Sequence, residues 1–139
     1  MDKCIFCSII SGDLPSYKLY EDSLFIAILN IYPASRGHAL IIPKRHTPDI
    51  FNLTDAEAKA QGLLALHLSK SIRDNLKPQG LNLLQNNGSC AGQEIFHFHL
   101  HLIPRYENDH VKISMAPLAQ TPDILKETAE LLKLKKVFS

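Results

Sequence analysis

Short apolar runs alternate with polar turns along this chain, and the runs predict four β-strands. They are rich in β-branched and aromatic residues and are shorter than an ordinary helix. The predicted strands cover residues 23–31, 38–44, 81–86 and 95–104. The turn sequence YPASRG joins the first two strands, and a glycine-bearing loop, NGSCAG, precedes the last one.

Residues 52–76 carry their apolar side chains at helical spacing instead. Thr54 and Glu57 have the spacing of a capping box, which marks a helix N-terminus, and the sequence KPQG ends the helix. The predicted apolar stripe consists of Leu63, Leu64, His67, Leu68, Ile72 and Leu76.

Thr121 followed by Pro122 predicts the start of a final helix that runs to about residue 135. Strands with several hairpin connections and a few helices in one short chain are typical of the α+β class. We therefore expect α+β architecture and not a doubly wound parallel sheet.

Composition narrows the class of protein. A chain of 139 residues fits one domain, so we expect residues 1–139 to form a single unit. The net charge is +1, so the protein lacks the strong positive field of nucleic-acid binders. No apolar segment approaches the ~20 residues that a membrane span needs. We therefore expect a protein that binds neither nucleic acid nor membranes. Three cysteines without an export signal favour a reduced, cytoplasmic protein.

Three histidines stand at every second position of the last predicted strand. Side chains alternate between the faces of a strand, so His97, His99 and His101 would share one face while Phe96 and Phe98 point to the core. Their rings start ~6.6 Å apart at ~3.3 Å per residue, close enough to converge on one phosphate or one metal ion. Imidazole can act as nucleophile, acid, base or ligand near neutral pH, so this row predicts chemistry.

The sequence HFHLHLI, residues 97–103, matches the His-φ-His-φ-His-φ-φ signature of the histidine triad (HIT) family, in which φ is apolar. The upstream blocks CIFCSIISGDLPSYKLYEDSLFIAILNI and GHALIIPKRH are similar to those of bacterial members, in the same order and spacing. The resemblance runs from Cys4 to about Arg105.

This resemblance implies a HIT-like α+β fold with an antiparallel sheet, one long helix and one C-terminal helix, and a homodimer whose sheets join. It also implies an enzyme, a hydrolase that cleaves a nucleoside phosphoramidate or a dinucleoside polyphosphate at the α-phosphate. His99 would be the nucleophile and form a covalent nucleotidyl-histidine intermediate, which water then hydrolyses. His101 would bind the phosphate or bridging atom and assist the leaving group, and His38 would line the same site.

The resemblance further implies a purine-nucleotide-type substrate held by polar residues. Gln93 matches a glutamine that touches the phosphate or bridging oxygens, and Asn86 matches an asparagine near the phosphate. Gly92 belongs to the loop whose small residues let backbone N–H groups approach an anion. Asn30 stands where relatives often have an acidic residue that binds the ribose hydroxyls. We also expect nearby cations, Lys44, Arg45 and Arg105, to steer an anionic substrate, although Arg105 could equally pair with a carboxylate.

Glu94 departs from the phosphoramidase branch, which tends to have serine after the glutamine. Because phosphoramidates and polyphosphates share the same attacking step, the sequence leaves the choice between these substrates open.

The pair Cys4 and Cys7 forms a C-x-x-C motif, which fits redox chemistry as well as zinc. Some HIT relatives carry zinc on such a pair together with two histidines, which correspond here to His46 and His97. Two thiolates and two imidazoles make a closed tetrahedral set, typical of structural zinc. We therefore expect structural zinc and no organic cofactor.

Two other functions remain open at this stage. In the first, His97, His99 and His101 themselves hold zinc and activate water, as in a metallohydrolase. In the second, the protein binds nucleotides or acts as a scaffold, a role for which a nucleophilic histidine is unnecessary.

Overall fold

The computed structural model describes residues 3–138, and these form five strands and three α-helices. The strands are β1 (Lys18–Glu21), β2 (Phe25–Leu29), β3 (Ala39–Pro43), β4 (Gly80–Leu84) and β5 (Leu100–Arg105). The helices are α1 (Ile5–Ser11), α2 (Asp55–Leu76) and α3 (Pro122–Leu132). Short 3-10 turns occupy Ile50–Asn52 and Ser89–Ala91.

The five strands form one sheet in the order β1-β2-β3-β5-β4, and every neighbouring pair is antiparallel. β3 and β5 lie side by side although α2 and β4 separate them in the sequence. This pairing brings the two histidine-bearing segments together, because Leu40 of β3 is opposite His101 of β5. The predicted α+β class with an antiparallel sheet, one long helix and one C-terminal helix is confirmed.

Each face of the sheet has its own apolar cluster. On one face, Ile41 and Leu102 pack with Ala65 and Ile72 of α2. On the other face, Leu40 and other strand residues pack with Phe6 of α1 and its neighbours. Successive side chains of a strand point to opposite faces of the sheet. Residues that alternate with the α2-facing ones therefore face α1. The candidate site lies on the α1 side.

α2 begins as predicted. The Thr54 hydroxyl accepts a hydrogen bond from the Glu57 N–H at 3.1 Å, and the Glu57 carboxylate accepts one from the Thr54 N–H at 2.9 Å, which completes the capping box. Two members of the predicted stripe, Leu63 and His67, are exposed. The face of α2 that is buried against the sheet is therefore narrower than the predicted apolar stripe.

Gly37 needs to be glycine, and its position prepares the site. Its φ of +89° lies in the left-handed region, and a Cβ there would overlap Leu76 at the end of α2. The chain therefore passes closely under α2 just before His38.

The last strand is shorter than predicted. β5 begins at Leu100, and the N–H of Phe98 donates to the Thr47 carbonyl at 2.7 Å instead of extending the ladder. Phe96, expected in the core, is 51% exposed, whereas Phe98 is fully buried as expected. The apolar pattern did not predict β1 or α1. The C-terminal helix α3 ends at Leu132, before the predicted residue 135, and all its residues are exposed.

Within residues 3–138, none of the helices is both long enough and apolar enough to cross a membrane.

Candidate active site and metal cluster

A cavity of about 370 Å³ lies on the α1 side of the sheet. One wall is apolar and is formed by α1, β2 and β3. The polar wall comes from the loop before β5 and from the histidines. Residues of the apolar wall include Phe6, Ile9, Ile28, Leu29, Ile31 and Leu40, and those of the polar wall include Asn30, Asn86, Gly92, Gln93, Glu94, His99 and His101. Every residue predicted to bind the nucleotide therefore lies around one cavity.

The His99 ring has a defined tautomer. Its Nδ1 lies 2.7 Å from the carbonyl oxygen of His97. A carbonyl only accepts hydrogen bonds, so Nδ1 carries the proton and Nε2 keeps its lone pair. Burial lowers the pKa of His99, although the bond to the His97 carbonyl works against this shift. The ring is thus neutral at neutral pH, with an unprotonated nitrogen available for reaction.

His38 and His101 form a second chain of hydrogen bonds. The Ala34 N–H donates to Nδ1 of His38 at 3.0 Å, so a neutral His38 carries its proton on Nε2. That Nε2 lies 2.8 Å from Nδ1 of His101 and donates to it. The proton of His101 is then on Nε2, the nitrogen that remains free on a ring lining the cavity.

Both rings of this chain are neutral in the free protein. Burial lowers the pKa of His38. Burial, followed by the neighbouring His99 and His38 rings, lowers the pKa of His101 to about 4. His101 therefore presents an N–H donor that carries no net charge.

The glycine-bearing loop brings Asn86 and Gly92 together. Gly92 has a φ of +89°, and a Cβ on it would meet the Asn86 side-chain nitrogen at 3.4 Å. That nitrogen lies 3.4 Å from the Gly92 carbonyl. A Cβ would only touch Asn86 at this distance, so it is the left-handed φ that requires glycine at position 92 and sets the course of the polar wall.

Gln93 is held differently from the sequence expectation. The side chain is only 4% exposed, and its oxygen accepts from the Gly88 N–H at 2.8 Å. Its nitrogen donates to the carbonyls of Pro48 at 2.6 Å and Ile95 at 3.1 Å. A phosphate could reach this carboxamide only by replacing one of these bonds, so Gln93 ties the loop to its surroundings.

Asn30 follows β2 at the rim of the cavity. Its Oδ1 accepts from the Tyr32 N–H at 2.9 Å, a local turn bond, and its backbone N–H donates to the His38 carbonyl at 2.9 Å. These two bonds fix the amide beside the histidines.

Four potential metal ligands lie together at the base of α1. Among residues 3–138, the ligand atoms of Cys4, Cys7, His46 and His97 all lie within 4.8 Å of one another. Nδ1 of His97 lies 3.4 Å from the Cys4 sulfur and 3.6 Å from the Cys7 sulfur. The two histidine Nδ1 atoms are 3.2 Å apart, and Cys7 is 3.3 Å from His46.

The four separations of 3.2 to 3.6 Å are close to those around a tetrahedral zinc ion. Bond lengths of about 2.3 Å to sulfur and about 2.05 Å to nitrogen place neighbouring ligands about 3.3 to 3.8 Å apart around a tetrahedral ion. His97 is oriented for this role, because its Nε2 donates to the Pro43 carbonyl at 2.8 Å and leaves Nδ1 as the lone-pair nitrogen. Burial and the neighbouring Cys4 raise the pKa of Cys7, so a pair of thiolates here requires a cation between them.

This geometry separates His97 from the other two histidines of the row. Its free nitrogen faces the cysteines, while the Nδ1 atoms of His99 and His101 are held by a carbonyl and by His38. The arrangement does not favour zinc on His97, His99 and His101 together. All three rings nevertheless lie on the α1 side, as strand alternation predicted, because Phe6 packs against His97 and His99 and the His99 and His101 ring centroids are 4.9 Å apart.

Phe6 connects the cluster to the cavity, and the sequence pattern had not identified it. It lies between Cys4 and Cys7, is 4% exposed, and packs edge-on against His97 and His99 at ring-centroid distances of 5.8 and 5.0 Å. Placement of α1 therefore determines one wall around the His99 ring.

The three cations expected to steer substrate are all paired. Lys44 contacts Glu21 at 3.1 Å, and Arg45 binds Glu57 through two bonds of 2.6 and 3.2 Å. Arg105 donates to Asp109 and Asn82. None of the three lines the cavity, so the expected steering role is not supported; for Arg105, the pairing with a carboxylate is what the structure has.

The chain is similar in sequence to known proteins. The HIT domain model matches residues 11–108. Protein hit of Bacillus subtilis is 48% identical over 105 residues, which are 76% of this chain and 72% of that protein. Adenosine 5'-monophosphoramidase hnt1 of Schizosaccharomyces pombe is 38% identical over 133 residues, 95% of this chain and 97% of that protein.

Solved structures agree in fold. A HIT family protein from Bacillus subtilis matches with a TM-score of 0.90 at 39% identity, covering 97% of this chain and 99% of that one. A zinc-bound histidine triad family protein from Mycobacterium smegmatis matches with a TM-score of 0.73 at 37% identity, covering 82% and 83%. The chain belongs to the histidine triad (HIT) family.

Proposed function

We propose that the protein is a nucleotide-binding hydrolase or transferase that cleaves the α-phosphate bond of a nucleoside phosphoramidate or dinucleoside polyphosphate through a covalent intermediate on His99. The observation that carries this proposal is the 2.7 Å bond from His99 Nδ1 to the His97 carbonyl. It leaves a neutral ring with an unprotonated Nε2 at the cavity, which is what attack on phosphorus requires.

In the first step, the Nε2 lone pair of His99 forms a bond to the α-phosphorus while the bond to the leaving group breaks. The leaving atom departs with that electron pair. The neutral His101 donates a hydrogen bond from Nε2 to the bridging atom, and the leaving atom takes up a proton from solvent as it departs. The product of this step is a nucleotidyl-imidazolium on His99.

In the second step, water attacks the same phosphorus. One proton of the water passes to solvent, the bond from phosphorus to His99 breaks, and His99 recovers its lone pair. A nucleoside monophosphate is released. His38 acts as a positioning residue, because its bond to Nδ1 of His101 keeps the proton of that ring on Nε2.

The cavity offers separate regions for the parts of a nucleotide. We assign the apolar wall around Phe6, Ile28 and Leu40 to a purine base, and Asn30 to the ribose. Asn86 and the backbone at Gly92 are assigned to the phosphate. Gln93 then acts indirectly, by holding the loop that carries them. The relative whose name includes adenosine monophosphoramidase activity supports an adenine nucleotide as the first substrate to test.

Cys4, Cys7, His46 and His97 are proposed to hold a structural zinc ion. When bound, the ion would link α1 to the start of β5 and keep the wall beside His99 in place. His99 and His101 stay free for catalysis.

We also propose that residues 1–139 form a single domain that assembles as a homodimer with a continuous sheet. β4 is an edge strand whose outer backbone groups have no neighbour in the sheet order, and Leu83 on it is 50% exposed. A mass of two chains by light scattering tests this assembly, and a mass of one chain contradicts it.

The stereochemistry at phosphorus tests the proposed reaction. An adenosine 5'-phosphoramidate made chiral at phosphorus with sulfur and oxygen isotopes is hydrolysed in labelled water. Two successive displacements return the original configuration, so retention is expected. Inversion would show direct attack by water, as in the metallohydrolase alternative, and would contradict a covalent His99 intermediate.

A further inference from the structure

We propose, resting on the function above, that Glu94 makes this site selective by charge: it favours leaving groups that carry a positive charge or none over anionic ones such as polyphosphates. Glu94 would thus be a specificity-determining residue that directs the enzyme toward phosphoramidates of amines. This choice is the one that the sequence left open.

The charge around the cavity carries the inference. Among the described residues that line it, Glu94 is the one carboxylate, and neither lysine nor arginine is present. Lys44, Arg45 and Arg105 do not line the cavity and contact carboxylate partners of their own. Nothing on the wall therefore neutralises Glu94 or a second phosphate.

The groups proposed to bind phosphate are neutral donors. Asn86, the backbone around Gly92 and the N–H of His101 can serve the single charge of an α-phosphate ester through hydrogen bonds. A dinucleoside polyphosphate adds several more charges, and sites that handle such chains ordinarily supply cationic side chains or metal ions. Each further negative charge on the substrate would meet the Glu94 carboxylate without compensation.

Glu94 follows Gln93 directly, and Gln93 is buried and bonded to three backbone groups. The backbone that carries Glu94 is thereby fixed, so its carboxylate moves only within the reach of its own side chain. At a separation of about 8 Å and an effective dielectric constant of 20 to 80, one unit charge changes binding by roughly 2- to 30-fold.

The test compares three adenosine 5'-phosphoramidates of similar size. Their leaving amines are 1,2-diaminoethane, which carries a remote ammonium group, propylamine, which has no remote charge, and β-alanine, which carries a remote carboxylate. For the full-length enzyme, kcat/KM is expected to fall in that order, with the ammonium compound preferred over the carboxylate compound by at least about 5-fold. Diadenosine tetraphosphate is expected to be a poorer substrate than propylamine phosphoramidate.

Glu94→Gln keeps the shape of the side chain and removes its charge, so the ammonium-to-carboxylate ratio should fall toward 1. Glu94→Lys should invert the ratio. The matched control is Glu107→Gln, which removes an exposed carboxylate beyond the end of β5 and away from the cavity and should keep the wild-type ratio.

A ratio that stays at its wild-type value in both Glu94 variants overturns the charge selectivity but leaves the proposed function intact. Preference of the wild-type enzyme for diadenosine tetraphosphate over the phosphoramidates also overturns the charge selectivity alone, whereas absence of turnover of all four compounds overturns the proposed function itself. Raising the salt concentration should reduce the wild-type ratio, because mobile ions screen charges near solvent.

Discussion

The Nε2 atom of His38 lies 2.8 Å from the Nδ1 atom of His101, and this bond fixes the protonation pattern of the site. The Ala34 N–H occupies the other nitrogen of His38, so the proton between the two rings belongs to His38. The direction of each hydrogen bond follows from groups that can only donate or only accept. The chain of bonds then ends on His101 Nε2, the nitrogen free to meet a substrate.

The tautomers can be observed directly. Long-range nitrogen–proton NMR spectra at pH 7.5 should show the proton on Nε2 for His38, His97 and His101 and on Nδ1 for His99. The opposite tautomer on His99 would place a proton on the proposed nucleophilic atom and contradict its role.

The same spectra give a pH prediction. Burial depresses the pKa of His101 to about 4, whereas the unfolded ring titrates near ~6.5. The unfolded chain therefore binds more protons between these values, so the contribution of this ring to stability is present above about pH 6.5 and is lost as the pH falls toward 4. We expect the folded ring to remain neutral at pH 5.5, and added AMP to raise its pKa. Protonation near pH 6.5 without nucleotide would contradict the burial effect.

Removal of His38 should disturb catalysis through His101. His38→Phe keeps a planar ring but leaves Nδ1 of His101 without its donor, so the tautomers of His101 should mix. We expect kcat to fall by roughly 10- to 100-fold, as for small misplacements of reacting groups. His67→Phe, an exposed histidine on α2, is the control and should change neither kcat nor the His101 spectrum.

Cys4→Ser should release the metal and lower stability. Loss of a thiolate opens the closed set formed with Cys7, His46 and His97, and a structural zinc contributes its binding energy to folding. We expect zinc content to fall and Tm to drop on the order of 10 °C, corresponding to about 3 kcal/mol at 2–4 °C per kcal/mol. Elemental analysis and calorimetry measure both.

His99→Ala is the matched variant for this experiment. It should abolish activity and retain zinc. Loss of the metal from His99→Ala would instead place His99 among the ligands and favour the metallohydrolase.

The ion pair of Arg45 and Glu57 should be asymmetric in its energetics. Glu57 is 3% exposed, whereas half of the Arg45 side chain is exposed. Arg45→Met leaves a buried carboxylate without its partner and should cost about 3 kcal/mol, while Glu57→Gln leaves a solvated guanidinium and should cost less. Equal losses in urea unfolding would contradict this difference.

The pH dependence of that pair has a definite sign. The bonds from Arg45 lower the pKa of Glu57 below its usual range, so the pair's contribution is present above about pH 4.3 and is lost as the pH falls further. The wild-type protein should therefore lose more stability than Arg45→Met in this acidic range.

The sequence predicted the components of the site better than the extent of the strand that carries them. Spacing identified the capping box of α2, and the resemblance brought Cys4, Cys7, His46 and His97 into one set, which the structure places together. Strand alternation put all three histidines on one face, which agrees with their ring contacts on the α1 side. It did not show that the strand begins only at Leu100, because Phe98 bonds to Thr47 across the loop instead of to the sheet.

Other features could not be predicted from the sequence because they depend on contacts between distant segments. The partners of Arg45 and Gln93 are distant in sequence, so neither the ion pair nor the buried carboxamide could be foreseen from spacing. α1 has a single short helical run with no side-chain N-cap, which explains why its start was missed. Phe6 has a role beside His99 only because α1 packs across the sheet.

The most direct measurement is the mass of the enzyme during turnover. The protein is mixed with an adenosine 5'-phosphoramidate, quenched within milliseconds, digested and analysed by mass spectrometry. We predict an adenylyl adduct on the peptide containing His99 that forms and decays at rates compatible with kcat. Steady turnover with no adduct, or with the adduct on another residue, would contradict nucleophilic catalysis by His99.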